Sequence, residues 1–227
     1  MHTFYCNIMA FTLALTCFFA RSAHSEIKGK VELAPALINI DILEHGKTTE
    51  TLRMIGAKGD LTILVYQGLC LKPGFLLGWK DGGLAAASMG VGYYLPITDK
   101  IKILPSVGVN WSYLHTKVDF EQVGLFHLKE RFRACGPYVG IEICYTFNDK
   151  LTITGAYQYA WSRTHTKIKP IISSHTHCEG SNYMIGLDYS LNKNWSVTAG
   201  FAYNLSLSKE KHGLRGKGGK IGLAYYF

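Results

Sequence analysis

Between Trp195 and Leu207 the chain alternates strictly. One face reads Trp195, Val197, Ala199, Phe201, Tyr203, Leu205 and Leu207, and the other Ser196, Thr198, Gly200, Ala202, Asn204 and Ser206. Period-two alternation is the mark of a strand with two different faces. A soluble sandwich buries its apolar face and solvates a face of Lys, Glu and Thr, whereas here the second face is small and uncharged. An apolar face towards lipid and a small or polar face towards a lumen is the pattern of a transmembrane β-barrel.

The same parity recurs. Leu151, Ile153, Tyr157, Tyr159 and Trp161 oppose Thr152, Thr154, Ala156, Gln158, Ala160 and Ser162; Tyr183, Ile185, Leu187 and Tyr189 oppose Met184, Gly186, Asp188 and Ser190. Ile101, Ile103, Val107, Val109, Trp111 and Tyr113 form another apolar face, with Leu104 and Pro105 as misfits. Gly136-Pro137 interrupts a strand over 131–147 and predicts a bulge. In the first half Gly56, Gly59, Gly68, Gly74, Gly78, Gly82 and Gly83 break the alternation.

The expected strands are 27–43, 51–58, 61–71, 83–95, 101–114, 131–147, 151–163, 181–191, 195–207 and 219–227. The reading is an all-β, antiparallel transmembrane barrel of about ten strands, with eight or twelve as alternatives. Short polar turns are expected at Gly59-Asp60, Thr98-Asp99-Lys100, Asn148-Asp149-Lys150 and Asn192-Lys193-Asn194, and longer loops near 72–82, 115–130, 164–180 and 208–218. Short turns inside and long loops outside are what outer-membrane barrels show, which places the chain in a bacterial outer membrane.

Residues 1–25 read as an export signal: Phe11 to Ala20 is an apolar block too short to span a bilayer, and Ala23-His24-Ser25 has the small-x-small form of a cleavage site. The domain is then 26–227. Without Arg21 it carries 23 Lys+Arg against 16 Asp+Glu, or +7. Its four cysteines, Cys70, Cys135, Cys144 and Cys178, permit three disulfide pairings and match no zinc spacing. Nucleic acid is not an expected partner of an exported barrel, despite a pI of about 9.1.

Several stretches resemble the omptin family, ten-stranded outer-membrane barrels that include surface proteases. Ile38-Asn39-Ile40-Asp41-Ile42, followed by His45-Gly46-Lys47-Thr48-Thr49-Glu50, looks like the family's first strand and hairpin. Arg131-Phe132-Arg133 with Pro137-Tyr138-Val139-Gly140-Ile141 resembles its sixth strand. The resemblance implies a catalytic Asp-x-Asp pair facing an Asp-x-His pair. The chain contains neither: Asp81 stands alone in the corresponding loop, and two residues before His165 lies Arg163, a cation where a carboxylate is needed. The expectation is therefore a non-proteolytic barrel on a related scaffold, with no catalytic residues and no cofactor. The ending Ile221, Leu223, Tyr225, Phe227 resembles the C-terminal signal that the outer-membrane insertion machinery reads.

Three sets of residues carry candidate functions. Lys102, Glu142, Asp188 and Lys220 are isolated charges on the predicted lumen face, among small residues such as Gly108, Ala156 and Gly200. Water beside them would make a small, porin-like diffusion pore, which is the first reading of function, and pairing among them would plug it. Lys209, Lys211, Arg215 and Lys217, joined by Arg163, Lys167 and Lys169, suit lipopolysaccharide phosphates or an acidic glycan. That set suits the alternative reading, a non-transporting surface adhesin or structural barrel. All seven histidines of the domain lie in or beside predicted outer loops, and His175 and His177, alternate residues on an extended segment, are the candidate metal ligands. Tyr93, Trp111, Trp161, Trp195 and Tyr225 are expected in the interfacial girdles.

Overall fold

The computed structural model describes residues 28–119, 127–169 and 172–227. The export signal expected at 1–25, the centres of two predicted outer loops (120–126 and 170–171), and the side chains of His127, Lys167 and Lys169 lie outside the described residues. Ten long strands and one two-residue strand follow in chain order: β1 (Lys28–Glu44), β2 (Lys47–Tyr66), β3 (Leu69–Lys80), β4 (Gly82–Tyr93), β5 (Leu95–Pro96), β6 (Ile101–Asp119), β7 (His127–Thr146), β8 (Leu151–Lys169), β9 (Ile172–Ser190), β10 (Trp195–Ser208) and β11 (Gly213–Tyr226). Each long strand pairs antiparallel with its neighbour, β4 pairs with β6, and β1 pairs with β11, so the sheet closes on itself and has no open edge. The ten-stranded antiparallel barrel read from the sequence is the fold.

Alternation sets the two surfaces. Leu33, Leu37, Phe75, Leu77, Val107, Val109, Ile141, Ile143, Ile185, Leu187, Phe201, Ile221 and Leu223 are exposed on the outside, while residues of the opposite parity are covered within. Trp79, Trp111 and Trp161 are exposed, each ten residues from the start of its strand at Leu69, Ile101 or Leu151. Ten residues of strand tilted by about 45° climb about 25 Å, the height of a barrel's apolar band. At the other rim Trp195 packs on Tyr225 with ring centroids 5.0 Å apart, and Tyr93 is also exposed. These rings form the two aromatic girdles.

Three expected turns are built alike. The Thr98 hydroxyl accepts from the N–H groups of Lys100 and Ile101, the Asn148 amide oxygen from Lys150 and Leu151, and the Asn192 amide oxygen from Asn194 and Trp195. Such side chains replace the missing ladder partners of a tight turn.

The first half differs from the expected layout. Gly59-Asp60 is not a turn; β2 runs through it, and the chain reverses at Gln67 and Gly68, both at positive φ (40° and 92°). Gly59 is needed for close approach instead, because a Cβ there would lie 2.2 Å from the Phe75 ring. The loop expected over 72–82 is most of β3 and its tip at Asp81. Gly136-Pro137 makes no bulge: Cys135 pairs with Arg163 and Tyr138 with Ala160 in one unbroken register. Gly136 is there because a Cβ would meet the Trp161 carbonyl oxygen at 1.8 Å. Long ladders also occupy much of the expected outer loops: β8 and β9 pair as far as Ile168 and Ile172, and the last loop shrinks to 209–212.

Candidate functional site

Charged side chains meet across the lumen at the end bearing the short turns. Lys30 of β1 reaches Asp188 of β9 at 2.6 Å, and the Tyr226 hydroxyl donates to the same carboxylate oxygen at 2.6 Å. Glu32 accepts from Lys220 and, at 3.0 Å, from Thr198 of β10. Lys220 also lies 3.4 Å from Asp60 of β2, which pairs with Lys58. Lys72 of β3 pairs with Glu142 of β7. None of the Lys30–Asp188, Lys220–Asp60 and Lys72–Glu142 pairs joins neighbouring strands, so the side chains span the interior and form an ionic floor.

Sequence reading placed Glu142, Asp188 and Lys220 in the lumen, and they are there. Each is neutralised by a partner, while Lys102 is exposed at the rim. The partners Lys30, Glu32, Lys58, Asp60 and Lys72 were missed. A signal existed: Lys30/Glu32 and Lys58/Asp60 put opposite charges at alternate positions of apolar strands, where a lipid-facing placement is forbidden. Ion pairs with limited water access hold firmly once formed, since removing one partner strands the other charge.

Beyond the floor the lumen has two unlike walls. On β1, β2 and β6 the side chains of Ala36, Ile38, Ile40, Ile42, Leu52, Met54 and Leu114 make a buried apolar cluster, flanked by Leu76, Leu84, Phe132 and Leu214. The facing wall carries Gln158, Asn182, Asn204, Ala202, Gly186 and Thr154; Asn182 donates to Gln158 at 3.3 Å. The small residues expected to leave water do not all do so. A Cβ on Gly108 would lie 2.6 Å from the Tyr138 ring, one on Gly90 2.1 Å from its hydroxyl, and one on Gly200 3.2 Å from Lys220. These glycines house large side chains, which is why they are glycines. Gly186 is different, with nothing nearer than 3.8 Å to a Cβ.

Beyond the apolar band, the outer surface carries the basic residues, but not as one loop. Arg215 is a strand residue; its Nη2 lies 2.7 Å from Asp41, its Nε donates to Asp41 at 2.8 Å, and its Nη2 donates to Thr48 at 3.0 Å. The Thr51 hydroxyl, donating at 2.8 Å, and then Arg215 hold the Asp41 carboxyl below its ordinary range. Lys209 and Lys211 sit in the 209–212 tip, and Lys217 projects from β11 opposite Asn39. The expected four-cation cluster is thus divided, with Arg215 bound to the barrel's own carboxylate.

His175 and His177 share an exposed face of β9, as expected, but do not converge. His175 instead meets His165 of β8, and His177 sits opposite Arg163. Among the described residues no three His, Cys, Asp or Glu side chains gather as a metal cage. At a second tip His45 and His212 pack edge-to-face, 4.3 Å between centroids. The four described cysteines are free thiols.

Residues 10–227 match the outer membrane protein beta-barrel domain family. The chain belongs to that family and resides in a bacterial outer membrane. No curated protein sequence matches it. Among solved structures it is similar to the outer membrane protease OmpT of Escherichia coli, with a TM-score of 0.60 at 12% identity over 88% of this chain and 96% of that one. It also aligns with the translocator domain of the autotransporter NalP of Neisseria meningitidis (TM-score 0.47, 13% identity, 99% and 98% covered). A third alignment is with Ail of Yersinia pestis in complex with a heparin analogue (TM-score 0.46, 11% identity, 89% and 100% covered). At these identities the likeness concerns the fold alone, and the fold is that of an omptin-like barrel.

Proposed function

We propose that this barrel is a surface-binding protein rather than an open diffusion pore, and that its partner is an anion such as lipopolysaccharide phosphate or an acidic glycan. The observation that carries the reading is the ionic floor: Lys30–Asp188, Lys220–Asp60 and Lys72–Glu142 cross the lumen where a porin needs water, and Glu32 beside Lys220 joins them. The apolar cluster beyond it is equally unsuited to solute flux. Exposed cations around the outer rim, Lys209, Lys211, Lys217 and Arg53, supply the field that an anionic partner meets.

The proposal is also non-enzymatic. Asp81 accepts a hydrogen bond from the Arg53 backbone N–H at 3.0 Å, and His165 meets the His175 imidazole. Insertion into the membrane through the C-terminal Phe227 completes the proposal. A pore remains the second reading, favoured by the polar wall, where Asn204 is exposed on the inner face and Gly186 is open.

Single-channel recording in planar bilayers tests both. The refolded chain is expected to be silent, and Lys72→Ala/Glu142→Ala/Lys220→Ala to show steps. Steps from the wild type would overturn the binding reading. Lys209→Ala/Lys211→Ala/Lys217→Ala is expected to weaken lipopolysaccharide binding at least tenfold while the barrel stays folded.

A further inference from the structure

The strand extensions of β8 and β9 bring two imidazoles together at one rung. His165 and His175 are direct cross-strand partners, with His165 Nδ1 2.8 Å from His175 Nε2 and ring centroids 4.2 Å apart at 78°. Neither nitrogen position depends on a loop, since the ladder continues beyond the pair through Thr166↔Ser174 to Ile168↔Ile172. We propose that His165 and His175 form a two-histidine site for a divalent transition metal, zinc or copper, on the outer face of the barrel beyond the membrane.

The geometry suits a metal with little movement. Two nitrogens bound at about 2.0–2.1 Å on a tetrahedral ion stand about 3.3 Å apart, so the pair opens by about half an ångström. In the metal-free pair one imidazole donates its N–H to the other. To bind, the donor shifts that proton to its other ring nitrogen, a tautomer change that leaves both rings neutral and both facing lone pairs free for the ion.

The neighbours decide which residues belong. Arg133 lies on the same rung, paired with His165 from the β7 side, but its guanidinium is over the Tyr113 ring at 5.7 Å, drawn towards β6. Glu179, further along β9, accepts from the Tyr159 hydroxyl at 2.6 Å. His177 stands opposite Arg163, a cation that opposes a metal charge there. Neither Arg133, Glu179 nor His177 is therefore counted among the ligands. A site with two protein nitrogens and open positions is exchangeable, and imidazole selects zinc and copper over magnesium and calcium.

The test is calorimetric titration of zinc chloride into the full chain refolded in detergent, in a non-chelating buffer. One zinc per barrel is expected, with no heat from magnesium. His165→Ala and His175→Ala should each weaken binding at least tenfold, whereas His177→Ala and His45→Ala/His212→Ala bind as the wild type does. His165→Gln separates ligation from structure: it keeps a hydrogen-bonding side chain opposite His175, so it should leave gel migration of the folded barrel unchanged while losing zinc. Absence of a zinc heat from the wild type overturns the proposal. So does wild-type binding by His165→Ala or His165→Gln, or loss of binding in His177→Ala or in the His45/His212 variant alone.

Discussion

The wall made by β1 and β2 and the wall made by β8 to β10 enclose one lumen, yet they are built on opposite terms. Inside β1 and β2 stand Ile38, Ile40, Ile42, Leu52 and Met54, and their outer faces carry Leu33, Leu37 and Ile55, so both surfaces are apolar. In β8 to β10 the inner face is Thr154, Gln158, Asn182, Ala202 and Asn204 against an outer face of Tyr157, Ile185 and Phe201. One wall behaves as half of a hydrophobic core, held by packing; the other is a membrane wall whose inner side tolerates water. Apolar packing therefore stabilises the barrel from the inside on one side only.

Charge placed on each wall should expose that difference most strongly. Met54 is 3% exposed, and Met54→Asp strands a carboxylate among Ile38, Leu52 and Leu114. It should cost about 4 kcal/mol or prevent folding. Ala202→Asp, on the polar wall, should cost less than about 1 kcal/mol. Urea unfolding in lipid vesicles, followed by tryptophan fluorescence, measures both; equal losses would mean that the walls do not differ.

The ionic floor joins the two halves, and cutting it is the next largest effect. Glu142→Leu leaves Lys72 without its partner and should cost about 3 kcal/mol. Lys72→Met/Glu142→Leu removes both charges and should recover most of that loss, by the same unfolding assay. A double variant no better than the single one would show that the pair is replaceable by water.

Glycines sharpen the comparison at a smaller scale. A Cβ on Gly56 would lie 2.0 Å from the Leu77 carbonyl oxygen, so Gly56→Ala forces strands apart and should cost about 2 kcal/mol. Gly186→Ala meets nothing closer than 3.8 Å and should stay within about 0.5 kcal/mol of the wild type.

The same asymmetry explains what could be read from sequence. Strands with unlike faces display their period: β10 is legible nearly to the residue, and β8 and β9 at their short-turn ends but not at their outer ends, where the ladders run on to Lys169 and back to Ile172; the turns at Thr98, Asn148 and Asn192 are legible too, because a side-chain acceptor marks each reversal. Where both faces are apolar the period vanishes, and Gly59-Asp60 looked like a turn although one residue admits Phe75 and the other belongs to the floor. The lumen charges Glu142, Asp188 and Lys220 are legible from parity, but their neutralisation is not, because the partners lie far apart in sequence, 158 residues for Lys30 and Asp188 and 70 for Lys72 and Glu142. The pairing of His165 with His175 is not legible in the sequence, since the rung that joins them depends on where β8 and β9 turn.

The smallest effect concerns the outer rim, where the Asp41–Arg215 pair belongs to neither wall. Thr51 and Arg215 favour the ionised form of Asp41, so its folded-state pKa lies below the value of about 3.9 in an unfolded chain. A carboxyl depressed in this way stabilises the fold fully above the unfolded value, and the contribution disappears as pH falls through the folded value. The difference in unfolding free energy between the wild type and Asp41→Asn should therefore be constant from neutral pH down to about pH 5, and shrink below about pH 4. The pair is at the surface and solvent screens it, so the plateau should be about 1 kcal/mol or less. Vesicle unfolding curves at stepped pH check the sign: a difference that grows on acidification would mean that Asp41 is raised rather than lowered. A plateau as large as the loss from Glu142→Leu would mean that the rim pair holds the barrel as strongly as the floor pair between β3 and β7.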